Sequence, residues 1–556
     1  MMKEKLFSLW NHPWGQAGLL MAFCFVIYFI NLGQWDLWNP DEPRYAQVAR
    51  EMISGGDWVL MHFNGRIYAD KPPLFFWLIA FSSFLWQGFS SFAVRFPSAF
   101  FGTLTVLLTF LIGRYLYSSG TGFMAGLILA TSIEFAYLST RANIDATLTF
   151  FTTASIFCFI KWYQYNTSHP PPLPEGERED KRSFTIYGFY IGIALATLAK
   201  GPVGFILPLL VSLTFLVIQR DWKSLRQMKL IQGMILFIII VLSWYMPALL
   251  KGGNEYFEET IILHTVDRFA KGSSHIRPFY YYLYSFPVDF LPWIFFLPGA
   301  ILYGIKKELL ENKKKFLFLL VWFISIFIFF SISKGKRGIY LLPLFPAVSL
   351  MVGRIWDDFT LNFKRPYPQP WIIYPLYGLI GLSILGGGIT PWVVSARFPT
   401  FLFYSLPISF LFIGGGIALF ILSRLRYPLI VFFLIVGIMS SGFFFTLRVV
   451  FPLVNPYKSA RFISQEVTSR IRPGEKLAIY GDFVTAPYNF YTGIVPILEI
   501  EKREELIRFL QSEQRVFCFM KFRDFEEFQN TEGRPKVELI ARRNVGGDDM
   551  VVVSNK

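Results

Sequence analysis

Charge is scarce in this chain: Asp, Glu, Lys and Arg make up 16% of its 556 residues, against 54% hydrophobic and 19% aromatic. With a mean hydropathy of +0.44, that is too little charge for an ordinary soluble protein, so lipid is the expected solvent. Cysteine is rarer still. Cys24, Cys158 and Cys518 are scattered and two of them lie in apolar runs, which gives neither a metal cluster nor a necessary disulfide. A leader-cleavage signal is lacking as well: no small-residue site follows the apolar run Ala17 to Leu32, which is therefore expected to remain as a first helix. The net charge of +15 does not call for nucleic acid, because the Lys and Arg residues sit mainly in short loops between apolar runs, where they report topology.

What the chain has is a series of apolar windows from residue 17 to residue 449, each a continuous Leu/Ile/Phe/Val run and not an alternating ten-residue strand. Helices, not a barrel, satisfy such segments in hydrocarbon. Fourteen windows can be drawn. Basic clusters at Lys161 to Arg182, Arg220 to Lys229, Lys306 to Lys315, Arg354 to Arg365, and Arg424 with Arg426 mark cytoplasmic loops. Parity then requires one window to be half of a broken or re-entrant segment. Thirteen spans follow, with the 34–73 loop, the 251–289 loop and the C-terminus outside. Asn166 to Arg182 is rich in Pro and charge and reads as a disordered cytoplasmic loop. Beyond the 1–450 transmembrane domain, residues 461–556 read as a small soluble α/β domain. Its strands are expected at Lys476 to Gly481 and Arg515 to Met520, a helix at Arg503 to Gln511, and a closing hairpin near the end; it has no phosphate-cradling Gly-rich loop.

The chemistry crowds the outer loops. In NPDEPRYAQVAREM, Asn39 is placed to cap a helix, Pro40 to occupy its first position and Glu42 to close a capping box. Tyr45, Val48, Ala49 and Met52 form an apolar stripe, which suits a helix lying on the membrane surface. Asp41 would then stay ionised in the first turn, either to accept a proton or, with Glu42, only to satisfy the helix N-terminus. In ADKPP, Asp70 and Lys71 precede an apolar run, and Lys71 reads first as a snorkelling anchor at the interface. Arg141 and Asp145 lead into another span; Asp145 is a site candidate by its depth, or else half of a bridge to Arg141. Lys334, Lys336 and Arg337 occupy a tight outer loop against the positive-inside bias, so an anionic lipid phosphate is their expected partner, with Lys200 adding to the field. His264 and His275, with Glu255, Glu258, Asp267, Arg268, Lys271 and Arg277, lie in a segment that could cover the cavity as a lid. Two separated histidines are weak grounds for a metal.

Taken together, WNPDEPRYAQVAREM, FNGRIYADKPPLFFW, FAVRFPSA (Phe92 to Ala99) and SKGKRGIYLLPLFP resemble the diagnostic blocks of the protein mannosyltransferase-like superfamily, nearest to bacterial lipid A aminoarabinose transferases. The resemblance covers roughly residues 15–450. It implies a polytopic α-helical GT-C fold in the bacterial inner membrane with its active site facing the periplasm. The implied activity is an inverting transfer of a sugar from undecaprenyl phosphate to lipid A or another envelope glycan or protein acceptor. It places the catalytic aspartate on Asp41, with Glu42, Arg44 and Tyr45 in the same motif, and the phosphate-contacting lysine on Lys71. Asp70 stands where those transferases usually have glutamate, which puts strict aminoarabinose specificity in doubt. Asp145 falls near an acidic position lining the acceptor or sugar pocket, with Arg141 beside it, and Lys336 and Arg337 fall in a loop facing the donor phosphate. No cofactor is required by this reading, although a divalent metal ion could assist. Transfer to protein hydroxyls, a lipid-linked-sugar flippase, and a polymerase or ligase using the same lipid-linked chemistry stay as alternatives.

Overall fold

A computed structural model describes residues 13–166, 175–260, 275–308, 313–361 and 370–556. Among them, nine helices are long and apolar enough to cross a membrane, or eleven if each of two sharply bent pairs is one span. The bent pairs are Ser119–Thr131 with Ile133–Ser139, at 72°, and Tyr281–Asp289 with Trp293–Lys307, at 113°. Pro13–Phe29, Leu74–Leu85 and Pro202–Ile218 are shorter apolar helices. Leu74–Leu85, with 12 residues, reaches only about 18 Å, well short of the roughly 30 Å of hydrocarbon. Counting spans from hydropathy alone therefore overstates it, since a window of this kind does not cross by itself.

The chain divides into two compact units. The first comprises Met1–Asn31, Ala69–Phe75 and Pro97–Phe445, and it holds most of the spans. Close helix approach here depends on small residues: a Cβ on Gly122 would collide with the Phe110 carbonyl oxygen. The turn beside it is tied down by Asp357, which accepts from the hydroxyls of Ser118 at 2.5 Å and Thr121 at 2.6 Å. The cytoplasmic loop read as disordered is in part ordered: from Glu175 the chain is already helical, continuing to Lys200. Charge of alternating sign supports that first stretch, with Lys181 donating to Glu177 at 2.7 Å across one turn. The helix Leu230–Phe257 likewise continues, through a break at Gly253 (φ 64°), into what the sequence reads as loop.

The second unit comprises Leu32–Tyr68, Phe76–Phe96 and Thr446–Lys556. Its centre is a five-stranded sheet of β3 (Lys476–Tyr480), β4 (Leu498–Ile500), β5 (Val516–Lys521), β6 (Glu538–Val545) and β7 (Asp548–Ser554), in the order β4-β3-β5-β7-β6. β3 runs parallel to β4 and β5, and β7 runs antiparallel to β5 and β6. Alternation distributes the side chains: Leu477, Ile479, Phe517 and Phe519 enter one core, Ala478, Cys518 and Met520 the other. With both faces covered, central strands read as continuous apolar runs. An Asn64-Gly65 turn, both residues at positive φ, joins β1 (His62–Phe63) to β2 (Arg66–Ile67).

Candidate active site

Each unit carries a polar cluster, and each is built from residues distant in sequence. In the second unit the helix Asp41–Gly55 displays Tyr45, Val48, Ala49 and Met52 on its buried side, and Tyr45 meets the Phe76 ring at 5.8 Å. The expected cap is displaced by one residue. Pro40, not Asn39, is the N-cap, and no side chain closes it. Glu42 does reach back, accepting from the Trp38 N–H at 3.1 Å, but its main engagement lies elsewhere. Arg95 Nε donates to Glu42 Oε1 at 2.7 Å and Arg95 Nη2 to Glu42 Oε2 at 2.9 Å, a bidentate pair with Arg95 0% and Glu42 1% exposed. The remaining donors of the guanidinium go to the carbonyls of Leu32 (3.0 Å), Trp35 (2.9 Å) and Asp36 (2.7 Å), and its carbon sits 4.2 Å from the Trp35 ring centroid. Asp41 and Arg44 occupy the first turn of this helix, both partly exposed.

In the first unit Asn143 caps the helix Ile144–Tyr165 by accepting from the Asp145 N–H at 2.7 Å. Asp145, 3% exposed, is ion-paired with Lys200, the last residue of its helix, and Lys200 Nζ lies 4.5 Å from the Tyr340 ring centroid. The bridge to Arg141 is thus replaced: Arg141 Nη1 donates to the Tyr137 hydroxyl at 2.9 Å. The ADKPP segment comes to the same neighbourhood, since a Cβ on Gly201 would meet Pro72 at 4.0 Å. Lys71 Nζ there donates to the Asp70 carboxylate at 3.2 Å and carbonyl at 3.1 Å.

The SKGKRG loop pairs with residues 275–277 through a bridge between Ile276 and Gly335. Lys336, 3% exposed, donates from its ammonium to the carbonyls of Ser333 and Arg277, and burial pushes its pKa down. Lys336 therefore holds its own loop together, and the outward cations are Lys334 and Arg277. These three line a groove of about 460 Å³ whose other walls are mainly apolar, among them Phe279, Leu283, Phe327 and Ile332. A second hollow of about 290 Å³ continues it between Tyr281–Asp289 and Lys313–Ile332, sharing Leu283 and Phe327. Arg337 accepts from the Tyr282 hydroxyl at 3.2 Å through its carbonyl. Of the lid residues, Glu255 is described only as helical backbone, and His264, Asp267, Arg268 and Lys271 lie outside the described residues. Among the described residues no three His, Cys, Asp or Glu side chains converge as metal ligands.

Sequence reasoning passed over Arg95, although an arginine within the apolar run FAVRFPSA is too costly to stand unpartnered and was readable as structural. Arg277 was visible only as one charge among many. Nothing in the local sequence points to Asn455, which accepts from the Trp38 indole at 2.8 Å.

A broken-helix membrane bundle, a motif helix opening on Asp41 and a mixed α/β domain together make the GT-C fold. The profile of dolichyl-phosphate-mannose-protein mannosyltransferases matches residues 17–252. An undecaprenyl phosphate-alpha-4-amino-4-deoxy-L-arabinose arabinosyl transferase of Edwardsiella ictaluri is 30% identical over 380 residues, which cover 68% of this chain and 66% of the relative. The protein of the same name from Aeromonas hydrophila is 31% identical over 369 residues, covering 66% and 64%. The chain thus matches slightly less than two thirds of the length of these relatives. The crystal structure of ArnT from Cupriavidus metallidurans bound to undecaprenyl phosphate shares the fold, with a TM-score of 0.82 and 21% identity over 98% of both chains.

Proposed function

We propose that this chain is a bacterial inner-membrane glycosyltransferase that moves one sugar, with inversion, from undecaprenyl phosphate to lipid A or another envelope acceptor on the periplasmic face. The observation that carries the reading is a mainly apolar groove that Arg277, Lys334 and Lys336 also line, a combination suited to a long hydrocarbon tail with a phosphate head. The named activity of the arabinosyl transferases supports the same donor. In this reading the chain crosses the membrane thirteen times, with the bent pairs and two of the short helices completing the count.

In the reaction, an acceptor oxygen attacks the anomeric carbon from the face opposite the carrier. The new C–O bond forms as the bond to the carrier phosphate breaks, and polyprenyl phosphate departs with the electron pair. Asp41 takes the proton of a hydroxyl acceptor; toward an already ionised phosphate acceptor it steadies the positive character of the sugar ring. Lys71, Lys334 and Arg337 offset the charge that grows on the leaving phosphate. Arg44 assists Asp41. Asp145, held by Lys200, contributes to the sugar or acceptor pocket, and Lys336 acts by shaping the loop.

The test is transfer by the full-length purified protein from a panel of undecaprenyl-phosphate sugars to lipid A and envelope extracts, beside Asp41→Asn and Lys71→Ala. Transfer by the wild type and its loss in Asp41→Asn are expected. Lipid binding without turnover across the panel would sink the proposal in favour of a flippase. The mannosyltransferase profile favours a second acceptor class, protein hydroxyls, and glycosylated protein in the extract arm would select it.

A further inference from the structure

Residues 35–38 run directly into the helix that opens on Asp41, and they are gripped from two sides by side chains remote in sequence. Arg95 holds one side, through the carbonyls of Leu32, Trp35 and Asp36 and through Glu42. Asn455 holds the other, from the helix Phe451–Lys458. Its Oδ1 accepts from the Asp36 N–H at 3.1 Å and the Trp38 Nε1–H at 2.8 Å, while its Nδ2 donates to Asp36 Oδ2 at 2.9 Å. Arg461 Nη1 donates to the other oxygen of Asp36 at 3.2 Å, and the Tyr491 hydroxyl donates to the Leu37 carbonyl at 3.0 Å. The Phe451 ring fills the angle, with centroids 5.1 Å from Trp35 and 5.0 Å from Trp38.

One amide thus serves a main-chain N–H, an indole N–H and a carboxylate at once, which leaves the segment a single arrangement in which all three are satisfied. Only two residues separate Trp38 from Asp41. We propose that Asn455 is a positioning residue for Asp41: through Asp36 and Trp38 it sets the direction in which the chain enters the helix, and hence where the carboxylate stands when the acceptor is activated. This rests on the glycosyltransferase reading and adds to it a role for the C-terminal segment, which governs turnover without binding donor. Misplacement of a reacting group by about 1 Å can cost on the order of a hundredfold in rate, so the effect belongs in kcat.

The experiment compares full-length wild type, Asn455→Ala, Asn455→Asp, the exchange Asp36→Asn with Asn455→Asp, and Asp41→Asn. The assays are sugar-transfer kinetics, thermal melting and amide hydrogen exchange. Asn455→Ala is expected to lower kcat about 10- to 100-fold with KM for the lipid-linked donor unchanged, to lower the melting temperature by only a few degrees, and to speed exchange at residues 36–38. Asn455→Asp sets two carboxylates against each other, and the exchanged pair, which swaps donor for acceptor, is expected to regain most of the lost kcat. Wild-type kcat in Asn455→Ala beside a silent Asp41→Asn would overturn the positioning role and leave the transferase standing. A raised KM with kcat retained would overturn it too, as would an exchanged pair no better than Asn455→Asp alone. A wild-type chain that transfers no sugar would remove the function and this role together.

Discussion

Replacing Arg95 by methionine should damage the second unit more than any other single change near the Asp41 helix, and the structure says why. Arg95 and Glu42 form a bidentate pair from which water is excluded, with Arg95 0% and Glu42 1% exposed. Removing the cation leaves a carboxylate in a place where it cannot be solvated, a cost of about 3–5 kcal/mol. The carbonyls of Leu32, Trp35 and Asp36 lose their donor at the same time, adding about 1 kcal/mol or more in all if water reaches some of them. For a cooperative unit of this size, a loss of that order lowers the melting temperature by on the order of 10 °C. Glu42→Leu together with Arg95→Met removes the stranded charge and should recover about 3 kcal/mol, leaving only the carbonyl deficit. Melting of the detergent-purified full chain, in the two single variants and the double, forms the cycle. A single Arg95→Met that melts with the wild type, or a double variant no better than that single, would refute the reasoning, because either would mean that the pair is not dry or that its partners are replaced.

Lys200→Met should likewise strand Asp145 and cost about 3–5 kcal/mol, whereas Lys200→Arg keeps the pair; melting of the two variants separates them. Lys334→Ala, on the cationic lining of the groove, should lower kcat as well as raise KM for the lipid-linked donor and flatten its salt dependence, as measured by transfer kinetics at low and high ionic strength. Leu283→Asp should weaken a long-chain donor while leaving a short-chain analogue nearly untouched, which a comparison of the two KM values reads directly. Glu475 has its carboxyl held below the usual range by hydrogen bonding to Arg515, so the folded state gives up this proton more readily than the unfolded one. Its contribution is therefore complete above the ordinary value of 4.5 and fades as pH falls through the lowered one; Arg515→Met should flatten that acid decline, followed by amide exchange in β3 and β5.

Much of this architecture is written in local pattern. Continuous Leu, Ile and Phe runs identify the bundle, and KLAIYG, RVFCFM and REELIRFLQ lie within a residue or two of β3, β5 and the helix Arg503–Leu510. Local pattern fails where a residue's partner is distant. Asn39, Pro40 and Glu42 spell a capping box, yet Glu42 is drawn to Arg95, 53 residues away, by a buried charge that outweighs one cap bond. Asp145 had a cation four residues before it in Arg141 and found another, Lys200, across a helix pair. Lys336 carries the charge expected of a phosphate ligand, but two main-chain carbonyls claim its ammonium, and only three-dimensional placement separates it from Lys334. The short strand β4 was missed because three residues offer no periodicity.

The bonds from Asp36 to Asn455 join positions 419 residues apart, near the two ends of the chain. A ribosome adding about 5–20 residues per second needs roughly 20–80 s to travel from one to the other. Throughout that time the segment before Asp41 has been made while its clamp has not. A nascent chain therefore carries residues 32–68 and 76–96 without the segment from Thr446 onward that completes their unit, and the grip on residues 35–38 forms only after Asn455 has been made.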